Sequence, residues 1–99
     1  MFVVFVSIDK PESERWSQWH SGKINSIYYS PFFDNEHETE LFIDIVKKDY
    51  PKSNITTGKN GCKYHIEYIV LNVDGFDKKR FKTLCNMMGA YHSYDERDE

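Results

Sequence analysis

The chain opens with a run, Met-Phe-Val-Val-Phe-Val-Ser-Ile, that is apolar at nearly every position. Successive side chains of an extended strand point to opposite faces, so Phe2 and Val4 belong to one face while Val3 and Phe5 belong to the other. A strand that is apolar on both faces needs cover on both, in the middle of a sheet or beneath helices. The run therefore predicts a sheet-containing domain whose first strand is buried.

Two later segments have apolar residues at helical spacing behind a residue that caps helices. Asn35 precedes a stripe that we expect to face the sheet, formed by Leu41, Phe42, Ile45 and Val46. Asp77 precedes a second stripe, formed by Phe81, Leu84, Cys85 and Met88. A third, shorter helix is predicted over Lys10 to His20, where Pro11 suits the first helical turn.

The remaining segments favour strands. Lys23 to Phe33 is rich in Ile and Tyr but broken by Pro31, which leaves strand and loop both open. Ile55 to Thr57, a Gly-Lys-Asn-Gly turn and the run from Cys62 predict a hairpin. The predicted order is β-α-(β)-α-β-β-α, in which the parentheses mark the segment Lys23 to Phe33. This order predicts an α+β fold, with about three helices packed on one face of a mainly antiparallel sheet of three to four strands.

Size and composition predict a single domain. The chain has 99 residues, a net charge of -3 and two cysteines, and it contains no apolar run of membrane-spanning length. We expect a domain over residues 1–94 and a flexible acidic tail over residues 95–99. The lack of a secretion signal favours a cytoplasmic protein with reduced thiols, and a disulfide between Cys62 and Cys85 is the alternative.

Catalytic and metal-binding motifs are missing from the sequence. Only Cys62 and His65 lie close together among the Cys and His residues, and their spacing on a strand points them to opposite faces, so we expect no metal and no cofactor. The opening Phe-Val-Val-Phe-Val-Ser-Ile-Asp resembles the start of the small CRISPR-associated adaptation nuclease family. With Met1 included, this resemblance covers nine residues, and it implies a metal-dependent nuclease centred on Asp9. A helix cap is the other interpretation of Asp9.

Charge is unevenly distributed along the chain. Between Ile45 and Cys85 there are nine basic and four acidic residues, whereas the rest of the chain has four basic and twelve acidic residues. Basic side chains concentrated in this way predict a face for nucleic acid. The candidates for that face are Lys59, Lys63, Lys78, Lys79, Arg80 and Lys82.

Two further patterns indicate a surface for another protein. Glu36, Glu40 and Asp44 recur every four residues and predict an acidic stripe along a helix. Six aromatic residues lie within a short segment that a small helix and a broken strand can hardly bury completely, namely Trp16, Trp19, Tyr28, Tyr29, Phe32 and Phe33. Exposed Trp and Tyr are common anchors of protein interfaces.

These patterns favour a small non-enzymatic binding protein that acts through a protein–protein surface. A phage-type accessory or inhibitor protein fits the size, with a nucleic-acid enzyme as the partner whose basic site the acidic stripe covers. A homodimer is also open. The alternatives are a nucleic-acid-binding protein that uses the basic face and a small nuclease centred on Asp9.

Overall fold

The computed structural model describes residues 1–9, 25–51 and 65–96. These residues form four strands, two α-helices and a final 3-10 turn, which confirms the predicted α+β class. In chain order the elements are β1 (Phe2–Asp9), β2 (Asn25–Tyr29), α1 (Glu36–Asp49), β3 (His65–Asn72), α2 (Lys78–Met88), β4 (His92–Ser93) and the 3-10 turn (Tyr94–Glu96).

The described strands form one sheet in the order β3-β1-β2-β4. β1 pairs antiparallel with both neighbours, so that Val6 stands opposite Tyr28 on β2 and Tyr68 on β3. The two-residue strand β4 pairs parallel with β2, through Tyr28 and His92. As predicted from its two apolar faces, β1 lies inside the sheet and not at its edge.

The two helices cover opposite faces of the sheet. Val4, Val6 and Ile8 pack with Phe42 and Val46 of α1 in one buried cluster. The intervening side chains of β1 pack in a second cluster with Cys85 and half-buried residues of α2. The expectation that the helices share one face was therefore wrong, because a strand that is apolar on both faces needs apolar cover on each.

Helix α1 begins and ends where the sequence predicts. The side chain of Asn35 accepts a hydrogen bond of 3.0 Å from the backbone N–H of Glu38, which satisfies a donor that the first turn leaves without a helical partner. At the other end, the N–H of Tyr50 bonds the carbonyl of Val46 before Pro51 ends the helix.

Helix α2 has equally local determinants. Asp77 accepts a bond of 2.7 Å from the backbone N–H of Arg80. Gly89 has a φ of 75° at the carboxyl end, a left-handed conformation that glycine adopts without strain. The next N–H, of Ala90, bonds the carbonyl of Cys85 and turns the chain toward β4.

The segment that follows β2 is fixed against β1. The hydroxyl oxygen of the buried Ser30 accepts a bond of 2.8 Å from the N–H of Val4, and the Ser30 N–H bonds the Val4 carbonyl. Phe33 and Phe2 then exchange two backbone hydrogen bonds. These contacts hold the segment beside the start of α1, where Pro31 and Phe33 form part of the candidate site described below.

Several predicted elements lie outside the described residues. The helix over Lys10 to His20 and the strand over Ile55 to Thr57 belong to this group, so the described part of the chain contains two α-helices against about three predicted. Of the segment Lys23 to Phe33, for which strand and loop were both open, the described residues 25–33 form strand β2 followed by irregular chain. The 3-10 turn includes the first two residues of the predicted tail.

We expect the two faces of β1 to contribute similarly to stability. Val3 and Val4 are both fully buried, each in a different cluster, so either Val→Ala change should lower the free energy of unfolding by about 2–3 kcal/mol. Val70 on β3 is 41% exposed, and its change to Ala is the control, with a loss below about 1 kcal/mol. Urea unfolding measures all three; a negligible loss for Val3→Ala or Val4→Ala would mean that one face lacks cover.

Candidate functional site

A cavity of about 500 Å³ lies between α1, the segment that follows β2 and the 3-10 turn, and we call it the α1 groove. Its volume falls in the range of about 300–1,000 Å³ that is usual for ligand sites. The residues that line it are Pro31, Phe33, Glu38, Leu41, Phe42, Ile45, Asp49, Tyr94 and Asp95. From Glu38 to Asp49 the groove follows about three turns of α1, which is a length of about 16 Å.

The exposed apolar wall of the α1 groove consists of Leu41 and Ile45, which are 51% and 53% exposed. The prediction that both face the sheet was wrong. The buried residues of α1 are Thr39, Phe42 and Val46, which lie within an arc of about 60° at about 100° per residue. Leu41 and Ile45 lie outside that arc, so the sheet does not cover them.

Three carboxylates stand around this apolar wall, those of Glu38, Asp49 and Asp95. The hydroxyl of the buried Tyr94 donates a hydrogen bond of 2.7 Å to Oδ2 of Asp49, which holds that carboxylate at the groove. Within the described part of the chain, no lysine or arginine lines the α1 groove. The groove therefore combines an apolar surface with a negative rim formed by these three carboxylates. This combination suits a ligand that is both apolar and cationic.

The predicted acidic stripe is in solvent, as expected, but it lies on another side of α1. Glu36, Glu40 and Asp44 are all exposed. At about 100° per residue, Glu36 and Glu40 are about 180° and 140° around the helix axis from Ile45 and face away from the α1 groove, whereas Asp44 is about 60° from Leu41. The stripe adds negative potential to this end of the molecule without lining the cavity.

The aromatic segment is divided between the two faces of the sheet. Tyr28 packs in the α1-side cluster, edge-on to Tyr94, and Phe33 packs against Phe42 with ring centroids 5.7 Å apart. Tyr29 and the half-exposed Phe32 instead contact the ring of Phe81 on α2, with centroids 5.7 Å and 4.8 Å apart. These four residues thus do not form one surface, and only Phe33 lines the α1 groove. Trp16 and Trp19 lie outside the described residues.

The basic candidates of α2 are exposed but do not share one side of the helix. Lys78, Lys79 and Lys82 lie within an arc of about 100°, whereas the guanidinium of Arg80 lies on another side, 4.4 Å from the ring centroid of Phe76. Lys59 and Lys63 lie outside the described residues.

Asp9 ends β1, in register with His65 of β3 and Asn25 of β2. The side chain of His65 contacts Glu67, with Nε2 and Oε1 3.0 Å apart. Across residues 1–9, 25–51 and 65–96, no group of three or more His, Cys, Asp or Glu side chains is arranged to hold a metal ion. The geometry around Asp9 therefore adds no support to the nuclease hypothesis.

Two groups inside the protein have their ionisation suppressed by burial. Cys85 is a buried free thiol in the α2-side cluster, and desolvation raises its pKa. A protonated thiol is a poor nucleophile, so Cys85 acts here as a packing residue. Burial likewise raises the pKa of Tyr68 on β3, whose hydroxyl has no hydrogen-bond partner among the described residues.

Sequence reasoning missed most of the α1 groove, although one signal for it was present. The stripe from Leu41 to Val46 spans about 140° of the helix surface, which is wider than contact with one sheet requires. This width indicates a second apolar contact for Leu41 and Ile45. The contribution of Tyr94 and Asp95 had no comparable signal, because it depends on the short strand β4 that brings them back to α1.

We expect the hydrogen bond between Tyr94 and Asp49 to stabilise the wall of the groove. Tyr94→Phe keeps the ring in the core but removes the donor, so the free energy of unfolding should fall by about 1 kcal/mol. The exposed neighbour Asp95 provides the control, since Asp95→Asn should change stability by no more than about 0.5 kcal/mol. Chemical denaturation measures both variants, and equal stability of Tyr94→Phe and wild type would show that this bond contributes nothing.

Comparisons with protein-family models, with curated proteins and with solved structures find no match for this chain. Neither helix of the described residues is long and apolar enough to cross a membrane.

Proposed function

We propose that this chain is a non-enzymatic binding protein whose α1 groove takes a basic, partly apolar segment of another protein. The observation that carries the proposal is the pair Leu41 and Ile45, half exposed on a helix whose other apolar residues are buried or half-buried, beside three carboxylates. Apolar side chains of a partner would cover this pair, and a lysine or arginine of the partner would face the rim.

The negative charge favours this occupant over a purely apolar one. A partner without cationic groups would bring Glu38, Asp49 and Asp95 close to apolar surface and remove water from carboxylates that gain nothing in return. A lysine or arginine offsets that desolvation. The acidic stripe raises the negative potential further and should speed the encounter with a positively charged partner.

Proteins that bind nucleic acids carry basic surfaces of this kind, so a nucleic-acid enzyme belongs to the partner class that the groove fits. Occupation of such a surface would block access of the nucleic acid. An accessory or inhibitor role of the phage type is part of this proposal. The buried free thiol of Cys85 is consistent with action in the reducing cytoplasm.

A panel of synthetic peptides tests the groove directly. The probe is a helical peptide of about three turns with leucines at four-residue spacing and flanking lysines, and its control replaces each lysine by glutamate. In methyl NMR spectra, the basic peptide should shift the signals of Leu41 and Ile45, whereas the acidic peptide should leave them unchanged. Equal shifts with both peptides, or no shift at millimolar concentration, would contradict the proposal.

Substitution of the apolar pair should separate binding from folding. Leu41→Ala combined with Ile45→Ala should weaken binding of the basic peptide by about 2 kcal/mol or more, which is about 30-fold. Ile69 and Val70 of β3 have similar exposure, and their joint change to Ala is the matched control, for which unchanged affinity is expected. Calorimetric titration with the peptide compares the two double variants, and an equal loss in both would place the binding site elsewhere.

Two pairs of carboxylates distinguish contact from long-range attraction. Glu38→Gln with Asp95→Asn removes two charges of the rim, and Glu36→Gln with Glu40→Gln removes two charges of the acidic stripe. Both pairs should slow association, because both reduce the net negative charge. Only the pair from the rim should also speed dissociation, since only it touches the partner. Stopped-flow measurement with the basic peptide gives both rates, and the same dissociation rate in both variants would contradict a binding site in the groove.

A further inference from the structure

A second cavity, of about 290 Å³, lies on the opposite face of the sheet, beside α2. Its volume is near the lower end of the range for ligand sites. The side chains that line it are Tyr29, Phe81, Lys82, Cys85, Asn86, Ala90 and Tyr91. It shares no residue with the α1 groove, so its occupant is a separate question from the proposed function.

Hydrogen-bond donors form a row along this side of α2. Lys78, Lys82 and Asn86 recur every four residues and lie one above the next, and Lys79 flanks them. Among the described residues, none of the three lysines forms an ion pair. The row therefore offers several positive charges to a ligand on one side of a single helix.

The nearest carboxylates in the sequence are engaged elsewhere. Asp74 forms an ion pair with the amino-terminal ammonium group of Met1, whose hydrogen bond is the main reason that the pKa of Asp74 is lowered. Asp77 accepts the hydrogen bond that caps α2. Helix α2 itself contains no acidic residue, so no carboxylate of the helix stands beside these lysines.

An aromatic side chain stands at the end of the row. Tyr91 is 60% exposed, although it borders a cavity whose floor is apolar. Single-stranded nucleic acids are bound by this combination, in which cationic side chains follow the phosphates and an aromatic ring stacks on a base. Duplex DNA would use only the charges, because its bases are already stacked.

From the donor row and Tyr91 together, we infer that the α2 side binds single-stranded nucleic acid. Lys78, Lys79 and Lys82 contact successive phosphates, a base stacks on Tyr91 above the cavity, and the Asn86 amide hydrogen-bonds the same nucleotide. Arg80 takes no part, because it lies over Phe76 on another side of α2. This site is independent of the proposed function, and either can fail without the other.

Fluorescence anisotropy of labelled oligonucleotides tests the inference on the full chain. The probes are oligo-dT and oligo-U of about 12 nucleotides, within the length range of such sites, and a hairpin duplex. At about 20 mM salt, both single strands should bind more tightly than the duplex. Comparison of oligo-dT with oligo-U shows whether DNA or RNA is preferred. Lack of binding to both single strands at this salt concentration would overturn the inference.

Tyr91 and the lysines provide separate variants with matched controls. Tyr91→Ala should weaken binding by about 5- to 150-fold, the range found for loss of one stacked base, whereas Tyr91→Phe should bind like wild type. Lys78→Gln with Lys82→Gln should reduce the slope of log affinity against log salt by about 1.4, since each phosphate contact on a single strand contributes about 0.7. Lys47→Gln with Lys48→Gln on α1 makes the same change in net charge and should leave the slope unchanged.

Three results would overturn the inference even if the wild type binds. They are unchanged affinity of Tyr91→Ala, equal changes of salt slope in the two lysine pairs, and binding of the duplex as tight as that of the single strands. All substituted side chains are exposed, and circular dichroism melting curves verify that each variant is folded.

Discussion

Removal of water from both faces of β1 is the constraint on which the rest of the structure depends. Val3, Val4, Phe5 and Val6 are almost completely buried, and alternation along the strand sends them to two separate clusters. One helix can cover only one of these faces. The apolar stripes of α1 and α2 therefore lie on opposite sides of the sheet, and the polar surfaces of the two helices face in opposite directions.

This separation gives the small domain two surfaces of different chemistry. Helix α1 carries five carboxylates and two lysines, whereas α2 carries four cationic side chains and no carboxylate. The sheet between them keeps the two sets of charges apart. The two proposed occupants, a basic protein segment at the α1 groove and a single-stranded nucleic acid beside α2, would therefore contact opposite faces of the sheet.

Local features could be predicted from the sequence, whereas features that depend on distant contacts could not. The capping residues Asn35 and Asp77 act within one helical turn, so the starts of both helices were predictable. The rotation of α1, which exposes Leu41 and Ile45, depends on which residues meet the sheet. The place of Tyr94 depends on β4, a two-residue strand that is too short to give a pattern.

The arrangement of both helices around β1 is best tested by nuclear Overhauser effects between methyl groups and side chains of the two helices. The account predicts cross-peaks from the methyl groups of Val4 to α1 and from those of Val3 to α2. It predicts no cross-peaks from Val4 to α2 or from Val3 to α1. Cross-peaks from both valines to the same helix would contradict it, because the two helices would then not lie on opposite faces of the sheet.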